Sequence, residues 1–223
     1  MSAPAAKAWP VALESEAWAL LARLFDHPDE ALPAQLASGE LKQRLQGSFG
    51  ALAPELWAEL PVAGFEGKVT REALAEEYSR LFHFGNRDAP LCSLHEGEHR
   101  GNRMDVMERV LRFYTHFGLK LGRNPSEMPD HLVSELEFLH FLAFQQERYQ
   151  RHGLDAGAFR RARTDFLVAH PGAWMRGFSD RVIAATAHPF HDACARLLGG
   201  FLAVALDAHG VVPMVSTRRP ATM

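Results

Sequence analysis

Apolar positions recur at helical spacing along almost the whole chain. Trp18, Leu21, Leu24 and Phe25 form one stripe, which His27-Pro28 stops. Between 29 and 64, shorter apolar groups are broken by Gly39, Gly47, Gly50, Pro54 and Pro61, which predicts two or three short helices. Thr70 is placed as the N-cap of a helix carrying Leu74, Tyr78, Leu81 and Phe82 on one side. Gly85-Asn86 ends that helix, and residues 86 to 101 show no apolar period, which predicts a long connection.

A second clear helix spans 103 to 117, with Val106, Val110, Phe113 and Phe117 facing inward and Gly118 as its stop. Residues 119 to 128 read as a loop. Pro129 then opens the longest helix, which runs to about Arg151. Its seam of Leu132, Leu136, Leu139 and Ala143 is widened by Phe138, Phe141, Leu142 and Phe144, so neighbours are expected on more than one side. Gly153 ends it. Three further helices follow, from about Ala156 to Val168, from near Ala173, and from Phe190 to Leu206, with Pro171 and Pro189 at the breaks. No succession of short alternating β-rich runs appears, so the fold class is all-α, a single helical bundle. The domain spans 15–208, with a loose amino-terminal segment 1–14 and a loose tail 209–223.

At 223 residues and 47% apolar composition, the chain can build a sizeable core and is not disordered by composition. Its 24 Lys plus Arg stand against 27 Asp plus Glu, which gives no electrostatic reason to expect nucleic acid. Cys92 and Cys194 cannot make a secreted-type disulfide framework and are read as reduced cytoplasmic thiols. Glu14 and Glu16 interrupt the first apolar run, so no export signal is expected. No stretch approaches 18 uncharged apolar residues, so no membrane span is expected either.

Nucleotide loops, the nucleophile-elbow pattern, HExxH and CxxC are all missing from the sequence. Two groups carry metal-ligand residue types: Cys92, His95, Glu96 and His99 in the long connection, and His188, His191 and Cys194 at intervals of three. Neither has a complete ligand set with conventional spacing; the loop group reads as solvated polar residues, and in the second group His188 belongs to the connection while His191 and Cys194 pack or cap a helix. Asp130, His131, Glu135, Glu137 and His140 form a carboxylate and imidazole array at the start of the longest helix. There Asp130 is placed in the first turn, favoured by the helix dipole. No metal, cofactor or catalytic residue is expected.

In order, the segments resemble a known family. They are Glu77-Tyr78-Ser79-Arg80-Leu81-Phe82, Pro90-Leu91-Cys92-Ser93-Leu94-His95-Glu96, Val106 to Gly118, and Pro129-Asp130-His131-Leu132 followed by Leu136-Glu137-Phe138-Leu139. Phe166 to His170 with Trp174 completes the set. This pattern, over roughly residues 15 to 208, resembles the TorD/DmsD/NarJ superfamily of redox-enzyme maturation chaperones. Within it, the group serving type II dimethyl sulfoxide reductase-like molybdoenzymes is the most similar.

The resemblance implies a cytoplasmic, non-enzymatic helical bundle, monomeric or dimeric. Its implied partner is the precursor of a molybdoenzyme catalytic subunit, including its twin-arginine signal peptide. The implied client-binding residues are Glu77, Tyr78, Phe82, Leu91, Glu96, Glu127, Asp130 and His131, with carboxylates facing the basic segment and an apolar groove taking its neighbour. Met128 stands where the family's signal-peptide binders tend to have proline, and bulky aromatics are missing around Cys92 to His95. A permanent structural subunit and a small metal-binding enzyme are the rival readings.

Overall fold

The computed structural model describes residues 9–84, 90–120 and 128–210. Eleven α-helices occupy these residues. They are α1 (Val11–Leu24), α2 (Leu32–Ser38), α3 (Glu40–Leu52), α4 (Pro54–Glu59), α5 (Arg71–Phe82), α6 (Glu96–Arg100), α7 (Arg103–His116), α8 (Leu132–Arg151), α9 (Gly157–Ala169), α10 (Pro171–Ala185) and α11 (Pro189–Ala208), with a 3-10 turn at Val62–Phe65. The one extended pairing among the described residues is an isolated bridge between His95 and His131. No described helix is long and apolar enough to cross a membrane.

Helix starts follow local chemistry. Thr70 Oγ1 accepts the Ala73 N–H at 3.2 Å and caps α5. Pro171 and Pro189 are the first residues of α10 and α11 rather than breaks ahead of them, because proline lacks an N–H that the first turn does not use. Gly118 and Gly153, at φ 72 and 66, take the left-handed conformation that closes α7 and α8.

Four sequence expectations shift. The 86–101 connection contains a short helix, α6. The helix expected to be the longest begins at Leu132, so Pro129 and Asp130 form a turn ahead of it and His131 is the N-cap; at 20 residues it only equals α11. On α7 the innermost aromatic is Tyr114, which donates from its hydroxyl to the Pro129 carbonyl at 3.0 Å, while Phe113 and Phe117 are only partly covered. The amino-terminal helix starts at Val11, ahead of the boundary placed at 15, and Glu14 is already buried.

The core is built by α1 lying along α8, α8 against α9, and α10 along α11. Trp18 and Phe49 both meet Phe201 edge-on, at 5.0 and 4.9 Å. A second aromatic group joins Phe25, Phe82 and Phe178, coupling α1, α5 and α10. Gly64 lets the 3-10 turn press onto α11, where a Cβ would lie 2.3 Å from the Pro189 carbonyl oxygen.

Candidate functional site

The segment after α5 runs back beside it, Cys92 N–H donating to the Leu81 carbonyl at 2.9 Å. It then pairs with the turn before α8. The Glu96 N–H donates to the Asp130 carbonyl at 2.9 Å, and the Leu132 N–H donates to the Leu94 carbonyl at 2.8 Å. Two stretches 35 residues apart in sequence are thereby locked, with the His95 and His131 rings 5.1 Å apart across the bridge.

Asp130 is fully buried at this junction. Its Oδ2 accepts the Gly97 N–H at 3.1 Å and Oδ1 lies 3.4 Å from His95 Nδ1. Burial pulls its carboxyl upward, but His95 and the Gly97 N–H hold it below the usual value. The sequence expectation placed Asp130 in the first turn of the long helix. It serves α6 instead, satisfying an orphan amide from across the pairing. His131 caps α8 with its ring, Nδ1 accepting the Val133 N–H at 3.2 Å. Burial, with His95 alongside, lowers its pKa to about 4, consistent with a neutral ring whose lone pair does the capping.

Behind the pairing lies a buried polar group. Glu96 is fully enclosed; its Oε1 accepts from Arg100, and its Oε2 lies 2.8 Å from His170 Nδ1. Arg100 also donates to the Ala169 carbonyl at 2.7 Å. On α8, Glu135 accepts from the Trp174 indole N–H at 3.0 Å. Burial and the neighbouring Glu96 charge raise the Glu135 pKa well above the carboxylate range. Glu96 stays low because hydrogen bonding to His170 and Arg100 outweighs its own burial. The two opposed shifts favour the proton on Glu135 and the charge on Glu96, which faces Arg100.

Glu96, Glu135 and His170 bring one ligand atom each within 4.8 Å of one another. They are the one such group among the described residues, and Arg100 already supplies its counter-charge. Neither sequence-predicted metal group converges. Cys92 and Cys194 are buried free thiols whose pKa values burial raises. The His99 ring lies tilted against Trp174 at 4.8 Å while its Nε2–H donates to the Ser93 carbonyl at 2.7 Å.

The remaining expected client-binding residues divide by exposure. Tyr78 and Phe82 are core, the Tyr78 hydroxyl donating to the Phe25 carbonyl at 3.3 Å. Burial raises the Tyr78 pKa. Glu77 grips Arg80 through two contacts of 2.7 Å and accepts from the Thr186 hydroxyl at 2.5 Å. Arg80 chiefly lowers its pKa. Leu91 is exposed, and so is Phe84 at the end of α5. Glu127 lies outside the described residues.

Sequence reasoning passed over Arg100 altogether and saw Glu135, His170 and Trp174 without linking them. The available signal was Glu135 itself, three residues after Leu132 in an otherwise apolar seam, which demands a buried partner.

Comparison with known proteins matches residues 31–180 to the family model of the nitrate reductase delta subunit. The selenate reductase assembly chaperone protein of Thauera selenatis is 36% identical over 180 residues, covering 79% of this chain and 89% of that one. The chlorate reductase assembly chaperone protein of Ideonella dechloratans is 37% identical over 155 residues, covering 68% and 79%. Among solved structures, one described as a redox enzyme maturation protein from Archaeoglobus fulgidus shares the fold. Its TM-score is 0.51 at 20% identity, covering 85% of this chain and 93% of that one. The order of motifs, the helical bundle and these matches agree: this chain belongs to the nitrate reductase delta subunit family, the TorD/DmsD/NarJ group.

Proposed function

We propose that this chain is a cytoplasmic assembly chaperone without catalytic turnover. It binds the precursor of a molybdenum-containing oxidoreductase catalytic subunit, including its twin-arginine signal region, and holds it until cofactor insertion and assembly precede export. The observation that carries this reading is the 36% identity to a selenate reductase assembly chaperone along 89% of that protein's length.

The recognition face in this reading is the pairing of residues 94–96 with 130–132 and the neighbouring end of α5. Leu91 and Phe84 offer exposed apolar surface, His131 and His95 offer partly exposed rings, and Glu77 offers a carboxylate edge. Tyr78, Phe82, Glu96 and Asp130 shape this face from beneath. Their side chains are buried and engaged inside the protein, so they act through the backbone they hold. A basic, partly apolar peptide gains mainly from burying Leu91 and Phe84, at about 25 cal/mol per Å² before ordering costs.

The test is co-expression of the affinity-tagged full chain with the molybdoenzyme catalytic-subunit precursor of the source organism. The expected result is a complex with the cofactor-free precursor that disappears once the cofactor-loaded, assembled enzyme forms. Persistence of the chain in the mature enzyme would make it a permanent subunit. Absence of any complex with the precursor would overturn the proposal.

A further inference from the structure

The face proposed for the client's basic segment holds fewer available carboxylates than the resemblance implies. Asp130 and Glu96 are buried and engaged within the protein. Glu77 meets the face already bound to Arg80 and to the Thr186 hydroxyl. The turn between α1 and α2 brings another carboxylate, Asp26, which is exposed. Asp29 and Glu30 on the same turn each have an arginine, Arg23 at 3.4 Å and Arg71 at 3.2 Å. Asp26 has no ion-pair partner among the described residues, and its Oδ1 accepts the neighbouring His27 N–H at 2.7 Å.

Tyr78 sets where this carboxylate stands. Its hydroxyl donates to the Phe25 carbonyl at 3.3 Å, fixing the end of α1 one residue before Asp26. The Tyr78 ring is edge-on to both His27 and His83, each at 5.3 Å, and the Phe84 ring follows 6.3 Å beyond His83. His27, His83 and Phe84 are exposed. The Asp26 charge is felt on both sides of this corner. Burial, then Asp26, raises the Tyr78 pKa; burial, then His95, lowers that of His131, with Asp26 opposing. One unpaired carboxylate therefore stands among exposed imidazole rings and an exposed phenylalanine. A guanidinium matches that setting, because its fork pairs with a carboxylate while its flat face lies on a ring.

We infer that Asp26 is the carboxylate that takes an arginine of the client's basic segment, with Tyr78 as the positioning residue beneath it. This rests on the chaperone reading above and names the acidic contact within that same face. Phe84 then meets apolar residues adjoining the arginine.

The probe is a fluorescently labelled 16-residue peptide with two adjacent arginines beside a run of Leu, Phe and Ala, paired with a version carrying Gln for each Arg. Anisotropy titration of the full chain at pH 8 should show saturable binding of the arginine peptide and roughly tenfold weaker binding of the glutamine peptide. Asp26→Asn keeps the oxygen that accepts the His27 N–H, so helical content should stay unchanged. It should weaken the arginine peptide about tenfold and leave the glutamine peptide within about twofold, which isolates the pairwise contact. Asp26→Glu should keep the preference for arginine, and Asp29→Asn should bind both peptides like wild type. Tyr78→Phe should weaken the arginine peptide alone, and only while Asp26 is present; an equal loss of both peptides would overturn its positioning role. Equal binding of the two peptides by wild type, no binding of either, wild-type affinity in Asp26→Asn, or an equal loss of both peptides in that variant would overturn the inference. Capture of the full-length precursor separates it from the reading it rests on. Wild type capturing the precursor while Asp26→Asn leaves the arginine peptide unaffected would refute the role of Asp26 alone. Failure of wild type to capture any precursor would refute the chaperone reading.

Discussion

His170 Nδ1 lies 2.8 Å from Glu96 Oε2, joining the residue that caps the end of α9 to the first residue of α6. Both side chains are buried, so this contact adds a side-chain tie between the segment carrying His95 and the body of the bundle to the backbone pairing with 130–132. His170→Ala removes the ring that Phe113 and Phe166 pack against and leaves the Glu96 charge to Arg100 alone. Chemical unfolding should show a loss of about 2–4 kcal/mol, in the range for breaking a buried pair. A loss under about 0.5 kcal/mol would mean the contact does not anchor α6.

The two carboxyls behind the pairing should respond oppositely to amidation. Glu135 has a raised pKa, so the folded state holds a proton that the unfolded chain gives up above its ordinary value of 4.5. As pH rises above that value, the unfolded state binds fewer protons than the folded one, and wild-type stability falls. Glu135→Gln keeps an acceptor for Trp174 without this penalty, so at pH 8 its stability should be unchanged or raised by about 1 kcal/mol. Glu96→Gln discards the charge that His170 and Arg100 face and should lose about 2–3 kcal/mol. Urea denaturation of both variants at pH 5 and pH 8 decides the matter. The reverse ranking would place the proton on Glu96.

Periodicity revealed the longer helices because each buries an apolar stripe, as with Leu74, Tyr78, Leu81 and Phe82 on α5 or Leu132, Leu136 and Leu139 on α8, whereas α6 buries none and was missed. It misjudged α7, where Phe113, Tyr114 and Phe117 are all apolar enough to face inward. The hydroxyl decided between them, since the Pro129 carbonyl needed a donor. The motif segments around 92–96 and 129–132 stood out in the sequence, but their pairing did not. Backbone hydrogen bonds between distant stretches leave no side-chain period. For the same reason Asp130 read as a first-turn residue of its own helix, when the amide that it satisfies belongs to Gly97.

Acid should weaken the fold through two histidines. Burial is the chief cause that brings both His131 and His191 down to about 4 from the ordinary 6.5. Below pH 6.5 the unfolded chain takes up protons that the folded rings refuse, so the stability that these groups contribute is present above 6.5 and lost progressively toward 4. At pH 5 each should cost about 1–2 kcal/mol relative to pH 7. His191→Gln, on α11 and away from the pairing, should remove one share and flatten the decline in urea midpoint between pH 7 and 5. An unchanged slope in that variant would show that His191 already titrates normally in the folded protein.

Direct and indirect recognition should separate at Leu91 and Asp130. Leu91 is 43% exposed and Asp130 is 0% exposed, although both were expected to meet the client. Leu91→Asp changes a surface side chain, so the melting temperature should move little. Precursor affinity should fall about tenfold, from lost apolar burial and the cost of desolvating the new carboxylate. Asp130→Asn keeps the shape but weakens the hold on Gly97 N–H and His95, costing about 1–2 kcal/mol of stability and loosening the 94–96/130–132 pairing. Its effect on affinity should therefore follow its effect on stability and should shrink on cooling, where the pairing stays closed. Calorimetric titration of both variants with the full-length precursor, beside thermal melts, measures the two quantities together. If Asp130→Asn abolishes binding with an unaltered melt while Leu91→Asp binds like wild type, the buried carboxylate must open to the client. The pairing would then be a gate rather than a fixed platform.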